Sequence, residues 1–117
     1  MSSAPEDRPL YITVSAIDCY VGQESFFPGM ILRLRKDPNN RFDDETIDVF
    51  GPKGVKYGHV ANSVYTVCRG THSAGYVYHA FGNEAECRVM FICEDFAIAE
   101  VMMEEEAEAA ILEESAA

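Results

Sequence analysis

The chain has 117 residues, 48% hydrophobic and 11% aromatic, which favours one globular domain and excludes a wholly disordered protein. No apolar run approaches the roughly 18 residues of a membrane span, so no membrane partner is expected. The net charge of −11 is uneven, because residues 94–117 contain nine of the twenty acidic residues and no Lys or Arg, which leaves 9 basic and 11 acidic groups in residues 1–93. The charge argument against nucleic-acid binding therefore applies mainly to the C-terminal segment.

The N-terminal sequence MSSAPEDRPL has acids and prolines where a signal peptide has basic and apolar regions, so we expect a cytoplasmic protein with residues 1–8 as a flexible arm. Without an oxidising compartment the cysteines are expected to be free and buried, two disulfides being the alternative. They are Cys19, Cys68, Cys87 and Cys93. No C-x-x-C pair is present, so no metal site or cofactor is predicted. The other alternative is a metal site formed by these cysteines together with the histidines His59, His72 and His79.

Short alternating segments separated by turn residues predict strands along most of the chain. They lie at 10–22, 30–36, 46–50, 55–60, 76–82 and 87–94. The clearest is MILRLRK, in which Met30, Leu32 and Leu34 share one face. A short helix is predicted within 61–70, where Asn62 or Ser63 could cap its start. Six short strands without strand–helix–strand alternation predict a mainly β fold, either a small barrel or a strongly bent sheet.

The C-terminal segment EDFAIAEVMMEEEAEAAILEESAA changes composition and is rich in strong helix formers. We predict a domain at 9–94 followed by an acidic C-terminal helix at 95–117. Its weak apolar stripe consists of Phe96, Ala99, Met103, Ala107, Ala110 and Ile111. This helix is either solvated or docked against the domain, a protein partner or a second copy of the chain.

No catalytic motif is present: the chain has no phosphate-binding G-x-x-x-x-G-K-[ST], no H-E-x-x-H and no G-x-S-x-G. The neighbouring carboxylates of Asp43, Asp44, Glu45 and Asp48 lack the ligand spacing of a Ca²⁺ loop. The sequence therefore predicts a non-enzymatic protein without catalytic or metal-binding residues.

The stretch RKDPNNRFDDETIDVFGPKGVKYGHVANS (35–63) combines a proline-stiffened turn, an aromatic residue, an acid and a histidine. The turn presents Phe42 and Asp43, with His59 and Asn62 further along. The cations predicted around it are Arg33, Arg35, Lys36 and Arg41. Exposed aromatics beside cations bind single-stranded nucleic acid, with roughly 1–3 kcal/mol per stacked base. The alternatives are that Phe42 is core, that Asp43 caps the turn and that His59 is a barrel histidine.

Residues 37–63 resemble the signature of HIRAN domains: P-x-N, an aromatic–Asp pair, an Ile-x-Val strand, and a glycine hairpin that ends in Gly-His. The preceding PGMILRL fits the strand before this signature. The following ANSVYTVCRGTHSAGYVY is similar to stand-alone bacterial HIRAN proteins. The resemblance covers residues 10–94. It implies a six-stranded OB/SH3-like β-barrel with one or two short helices.

The resemblance also implies a function, because HIRAN domains of fork-remodelling helicases grip the 3′-hydroxyl end of single-stranded DNA. In that pattern Tyr20 and Phe42 stack the terminal bases, Asp43 meets the hydroxyl, and His59 matches the histidine after the hairpin glycine. With the neighbouring Arg41 and Asn62, the predicted nucleic-acid-binding residues are Tyr20, Arg41, Phe42, Asp43, His59 and Asn62.

Four positions depart from the DNA-gripping or bacterial patterns. Asp18 and Cys19 replace an arginine and a tyrosine, Asn62 replaces a lysine, and Tyr76 replaces an arginine. Three lost cations weaken phosphate contacts, since each contact contributes through counterion release. The sequence thus predicts modest affinity for single-stranded DNA. A protein-interaction or self-association module that uses the C-terminal helix is the alternative function.

Overall fold

A computed structural model describes residues 9–102. Its strands are β1 (Leu10–Ser15), β2 (Ile31–Lys36), β3 (Ile47–Phe50), β4 (Lys56–Val60), β5 (Glu84–Ile92) and β6 (Phe96–Met102), with one short helix, α1 (Ala74–Val77). Short 3-10 turns lie at Ile17–Cys19, Gln23–Ser25 and Pro52–Gly54. The strands close into a barrel in the order β1-β4-β3-β2-β5-β6. Every neighbouring pair is antiparallel. The predicted mainly β, six-stranded barrel is therefore confirmed.

The barrel interior is filled by alternate residues of the strands, as the period of two in a β-strand requires. The predicted face of Met30, Leu32 and Leu34 is buried. On β6, Ala97 and Ala99 are fully buried too. Small side chains at these two positions leave room for the branched residues of the other strands. The core residues of the strands are Ile12, Val14, Leu32, Leu34, Ile47, Val49, Tyr57, Val60, Cys87, Val89, Ala97, Ala99 and Val101.

The sixth strand comes from a segment that we predicted to be helical. Residues 96–102 form β6, which pairs with both β1 and β5 and closes the barrel. Their composition favours a helix, but their alternating burial fits a strand buried between two neighbours, and tertiary pairing overrides helix propensity. The prediction of a helix from residue 95 is therefore wrong for 96–102. Residues 103–117, the rest of that predicted helix, lie outside the described residues, as does the predicted arm at 1–8.

The predicted strand at 76–82 is also wrong, because α1 occupies its first residues. The Ser73 side-chain oxygen accepts a hydrogen bond from the Tyr76 backbone N–H at 3.2 Å and caps this helix. The helix predicted within 61–70 is replaced by turns, in which the Ser63 carbonyl accepts from the N–H groups of Thr66 and Val67. The first strand ends at Ser15 and not at residue 22, since Ala16 adopts a positive φ of 61°.

The loop that follows β4 is fastened to the outside of β1. The hydroxyl of the buried Thr13 accepts a hydrogen bond from the Cys68 N–H at 3.1 Å and bonds the Thr71 hydroxyl at 2.8 Å. The His72 N–H donates to the Tyr11 carbonyl at 2.7 Å. These hydrogen bonds pair polar groups of β1 with polar groups of the loop. Residues 61–73 therefore have a fixed path without regular secondary structure.

All four cysteines are free thiols. Cys87 points into the core, where burial, with the nearby charge of Glu86, raises its thiol pKa to about 12. Cys19 and Cys93 are exposed, so the expectation that the thiols are buried is wrong for these two. Within residues 9–102, no helix is long and apolar enough to cross a membrane.

Substitution of Gly58 in β4 tests the close packing of β4 against β1. A Cβ at this position would lie 2.6 Å from the Ser15 carbonyl oxygen and 3.0 Å from a Val14 methyl carbon. We expect Gly58→Ala to lower the free energy of unfolding by about 2 kcal/mol, measured by urea denaturation, because overpacking forces the backbone to shift. Gly82→Ala is the matched control, since a Cβ there meets no atom within 4 Å. Equal effects of the two substitutions would contradict this packing.

Candidate nucleic-acid interface

A cleft of about 480 Å³ opens between the turn that follows β2, the outer side of β4 and the start of the loop after it. Five of the six predicted binding residues line it: Tyr20, Phe42, Asp43, His59 and Asn62. They come from three separate segments that the barrel brings together. Arg41, the sixth, is exposed beside Phe42 and does not line this cleft, which we name the end cleft.

The turn from residue 37 to 46 holds Phe42 out of the core. The Asn40 side-chain oxygen accepts from the Phe42 N–H at 2.9 Å and from the Asp43 N–H at 3.2 Å. Its amide nitrogen donates to an Asp37 carboxylate oxygen at 3.3 Å. Such local side-chain bonds replace regular structure in a tight turn. They leave Phe42 90% exposed, so the alternative that Phe42 belongs to the core is wrong.

Asp43 and Asn62 form a clasp across the floor of the end cleft. The Asn62 Nδ2 donates to Asp43 Oδ2 at 2.9 Å and lies 3.3 Å from Glu45 Oε1. Its Oδ1 accepts from the Gly75 N–H at 2.9 Å. The other Asp43 oxygen accepts from the Glu45 N–H at 2.9 Å, so Asp43 does cap its own turn, as one alternative predicted. A carboxylate offers about four acceptor positions, so Asp43 keeps acceptor capacity for a further donor.

The opposite wall is built from Tyr20, Lys56, Asp48 and His59. The rings of Tyr20 and His59 meet edge to face, with centroids 6.3 Å apart and planes at 83°. Lys56 Nζ lies 5.2 Å from the Tyr20 ring centre and 3.0 Å from Asp48 Oδ1. Tyr20 remains 42% exposed. The wall thus presents an aromatic surface supported by a cation whose charge is partly balanced by a carboxylate.

Burial, together with the charges of this wall, sets the protonation of His59. Burial and the neighbouring Lys56 charge lower the His59 pKa, against a smaller opposing effect of Asp48. Burial acts to lower the Lys56 pKa, but the hydrogen bond and charge of Asp48 outweigh it, so that pKa is raised. At neutral pH, Lys56 is therefore charged and His59 is uncharged. His59 can accept or donate a hydrogen bond, but it adds no charge to attract phosphate.

The other predicted cations lie elsewhere. Arg33 and Arg35 line a different cleft of about 340 Å³, where their Nε atoms meet Glu86 at 3.5 Å and Glu84 at 3.4 Å. Lys36 donates to the Phe81 carbonyl at 2.7 Å and lies over aromatic rings. The prediction that these cations surround the turn of Phe42 is therefore wrong. Arg33 and Arg35 lie on the outer face of β2, where they line the other cleft, and Lys36 is bound at the Phe81 carbonyl.

Sequence reasoning missed the roles of Asn40, Asp48 and Lys56. Asn40 lies two residues before Phe42, and this spacing is the signal of an Asx turn. Asp48 pairs with His59 across the β3–β4 hairpin, while Lys56 pairs with Phe50 after a register shift between Val49 and Phe50. The hairpin pattern predicted that these strands pair, but the register shift that places Lys56 beside Asp48 has no signal in the sequence.

Comparison with known proteins identifies the fold. No family model matches the sequence, and no curated protein matches it. The crystal structure of the HIRAN domain of human HLTF matches with a TM-score of 0.54 and 20% sequence identity, covering 86% of this chain and 81% of that chain. The chain therefore has the fold of a HIRAN domain, as its sequence signature predicted.

The lowered pKa of His59 gives a test of the end-cleft wall. Lys56→Gln removes a positive charge and frees Asp48, so we expect the His59 pKa to rise, measured from the imidazole resonances by NMR titration. Lys53→Gln changes the same charge at the exposed hairpin tip and should leave the pKa unchanged. A His59 pKa that responds equally to both substitutions would contradict the wall geometry.

The same pKa shift has a consequence for stability. The unfolded chain binds the His59 proton more readily than the folded protein, because only folding lowers the pKa from 6.5. The contribution of His59 to the free energy of unfolding is therefore fully present above pH 6.5 and is lost as the pH falls through the folded pKa. Lys56→Gln should reduce this loss.

Proposed function

We propose that this protein is a non-enzymatic nucleic-acid-binding module whose end cleft takes the 3′ end of a single DNA strand. The observation that carries the proposal is the meeting of Tyr20, Phe42 and Asp43 around one open cleft. Two exposed rings on separate segments can hold bases, and Asp43, an acceptor with remaining capacity, lines the same cleft. The HIRAN fold supports the proposal, since the resemblance implies this activity for these three positions.

Stacking supplies most of the expected affinity. The turn fixes the backbone around Phe42 and leaves its ring exposed, so little backbone freedom is lost when a base packs on the ring. Each base–aromatic stack contributes roughly 1–3 kcal/mol. Lys56 adds a cation near the strand, but its bond to Asp48 limits its attraction for phosphate. Binding that depends on rings more than on cations varies little with DNA sequence and only weakly with salt.

Asp43 determines which end of a strand fits. A carboxylate repels phosphate but accepts a hydrogen bond from a hydroxyl group. A phosphodiester inside the strand or a terminal phosphate brings negative charge toward Asp43, whereas a free 3′-hydroxyl offers a donor. The end cleft therefore favours the hydroxyl terminus, and the Asn62 bond keeps Asp43 oriented toward it.

The first test compares short oligothymidylates that differ only at the 3′ end. We expect a free 3′-hydroxyl to bind at least about tenfold more tightly than a 3′-phosphate, measured by isothermal titration calorimetry, because like charges repel. Asp43→Asn should remove most of this preference, and Phe42→Ala should weaken both ligands by about tenfold. Asp44→Asn is the matched control, since Asp44 is exposed and does not line the end cleft. Equal binding of the two ends to the unmodified protein would refute end recognition.

Protein interaction or self-association through the C-terminal segment stays a prediction, because residues 103–117 lie outside the described residues. The structure changes how it is tested. Removing residues from 95 onward would delete β6 and open the barrel, so a truncation must begin after Met102. The prediction expects a larger sedimentation coefficient or partner binding that the truncation abolishes. A monomer with and without residues 103–117 would count against self-association.

A further inference from the structure

A second groove continues from the end cleft on the surface of the loop after β4. It has a volume of about 500 Å³ and reaches from Asn62 and Ser63 to Tyr76. Asn62 and Ser63 line both the groove and the end cleft. A ligand that fills the end cleft and extends past these two residues would therefore enter this groove, which we name the loop groove.

We propose that the loop groove holds the nucleotides on the 5′ side of the bound strand end, with Tyr76 as a stacking platform and Arg69 as a phosphate contact. This inference rests on the proposed function and defines the direction of the bound DNA. The 3′ terminus of the DNA lies in the end cleft, and the DNA strand runs in the 5′ direction over Ser63 toward Tyr76. The loop groove would thus be a second DNA-binding site beside the end cleft.

The stacking platform of Tyr76 is preorganised by its contact with His72. The rings of His72 and Tyr76 stack with centroids 4.1 Å apart and planes at 14°. Tyr76 is 63% exposed, so most of its surface is open to a further ring. Its backbone belongs to the capped helix α1, and the His72 N–H is bonded to the Tyr11 carbonyl at 2.7 Å. Because both residues are anchored, stacking a base on Tyr76 orders little additional chain.

Charge favours a nucleic acid in this groove. Arg69 lines it and is exposed, and in the described part of the chain Arg69 forms no ion pair. Arg33 and Arg35 differ in this respect, because Glu84 and Glu86 engage them. A guanidinium without a carboxylate partner can contact a phosphate without first losing an ion pair. An aromatic platform beside such a cation is the arrangement that sequence-tolerant binding of single strands uses.

The chain offers a matched control for the stacking residue. Tyr65 is 94% exposed on the same loop, but it lines neither the end cleft nor the loop groove. If exposed tyrosines near a bound strand acted nonspecifically, Tyr65 and Tyr76 would contribute alike. The proposal assigns a role to Tyr76 and none to Tyr65.

The experiment measures the binding of oligothymidylates with a free 3′-hydroxyl by calorimetry at two lengths, about two and about eight nucleotides, the longer within the range of OB-fold sites. We expect Tyr76→Ala to weaken the longer ligand about tenfold and to leave the shorter one unchanged. Tyr76→Phe, which keeps the ring, should retain the affinity, and Tyr65→Ala should change neither ligand. Arg69→Gln should reduce the salt slope by about one for the longer ligand only.

Circular dichroism melts of the variants establish that each is folded. Unchanged binding of the longer ligand by Tyr76→Ala, with the short ligand still bound and still preferring a 3′-hydroxyl, would overturn this inference and leave the proposed function standing. Equal weakening at both lengths would also overturn it, since Tyr76 would then act on the end cleft. If the unmodified protein binds neither ligand, the proposed function fails and the inference fails with it.

Discussion

The side chain of Asn62 holds the candidate site together. Its amide donates to Asp43 and lies near Glu45, while its oxygen accepts from the Gly75 N–H, so one residue joins the turn before β3, the end of β4 and helix α1. The resemblance to DNA-gripping HIRAN domains places a lysine at this position. Lysine has no acceptor and could not receive the Gly75 bond. Asn62 therefore links Asp43 to α1 in a way that a lysine at this position could not.

Few positive charges act in the end cleft. Lys56 is its lining cation, and Asp48 partly balances it, while His59 is uncharged at neutral pH because burial and Lys56 lower its pKa. Rings thus outnumber effective positive charges in the end cleft. A ligand held mainly by stacking is selected by the accessibility of its bases, and a strand terminus exposes them more than a duplex does.

The central motif could be predicted from sequence because its signals are local. Pro38 and Asn40 lie within a few residues of Phe42, so the turn that exposes this ring is encoded beside it. The buried face of Met30, Leu32 and Leu34 could also be predicted, since apolar residues at every second position are typical of a strand. Tyr20 lies far from this turn in the chain, and the family resemblance, not its own surroundings, placed it in the site.

Other features were not predicted, and two of them depend on contacts between residues that are distant in the chain. The segment 96–102 has the composition of a helix, and only pairing with β1 and β5 makes it a strand. Residues 76–82 have aromatic and branched side chains typical of a strand, yet the Ser73 cap starts a helix just before them. Arg33 and Arg35 are close to Phe42 in sequence, but the closed barrel directs them to another cleft. The order of strands around the barrel decides the first and third outcomes, whereas the Ser73 cap is a local hydrogen bond to the Tyr76 N–H.

NMR chemical-shift mapping of the protein with a short oligothymidylate that carries a free 3′-hydroxyl tests the central claim most directly, because it distinguishes binding in the end cleft from binding in the cleft of Arg33 and Arg35. The account predicts that the largest changes occur at the backbone amides of Tyr20, Phe42, Asp43 and Asn62, around the end cleft. Changes centred instead on Arg33, Arg35 and Lys53, which line the more basic cleft, would contradict it.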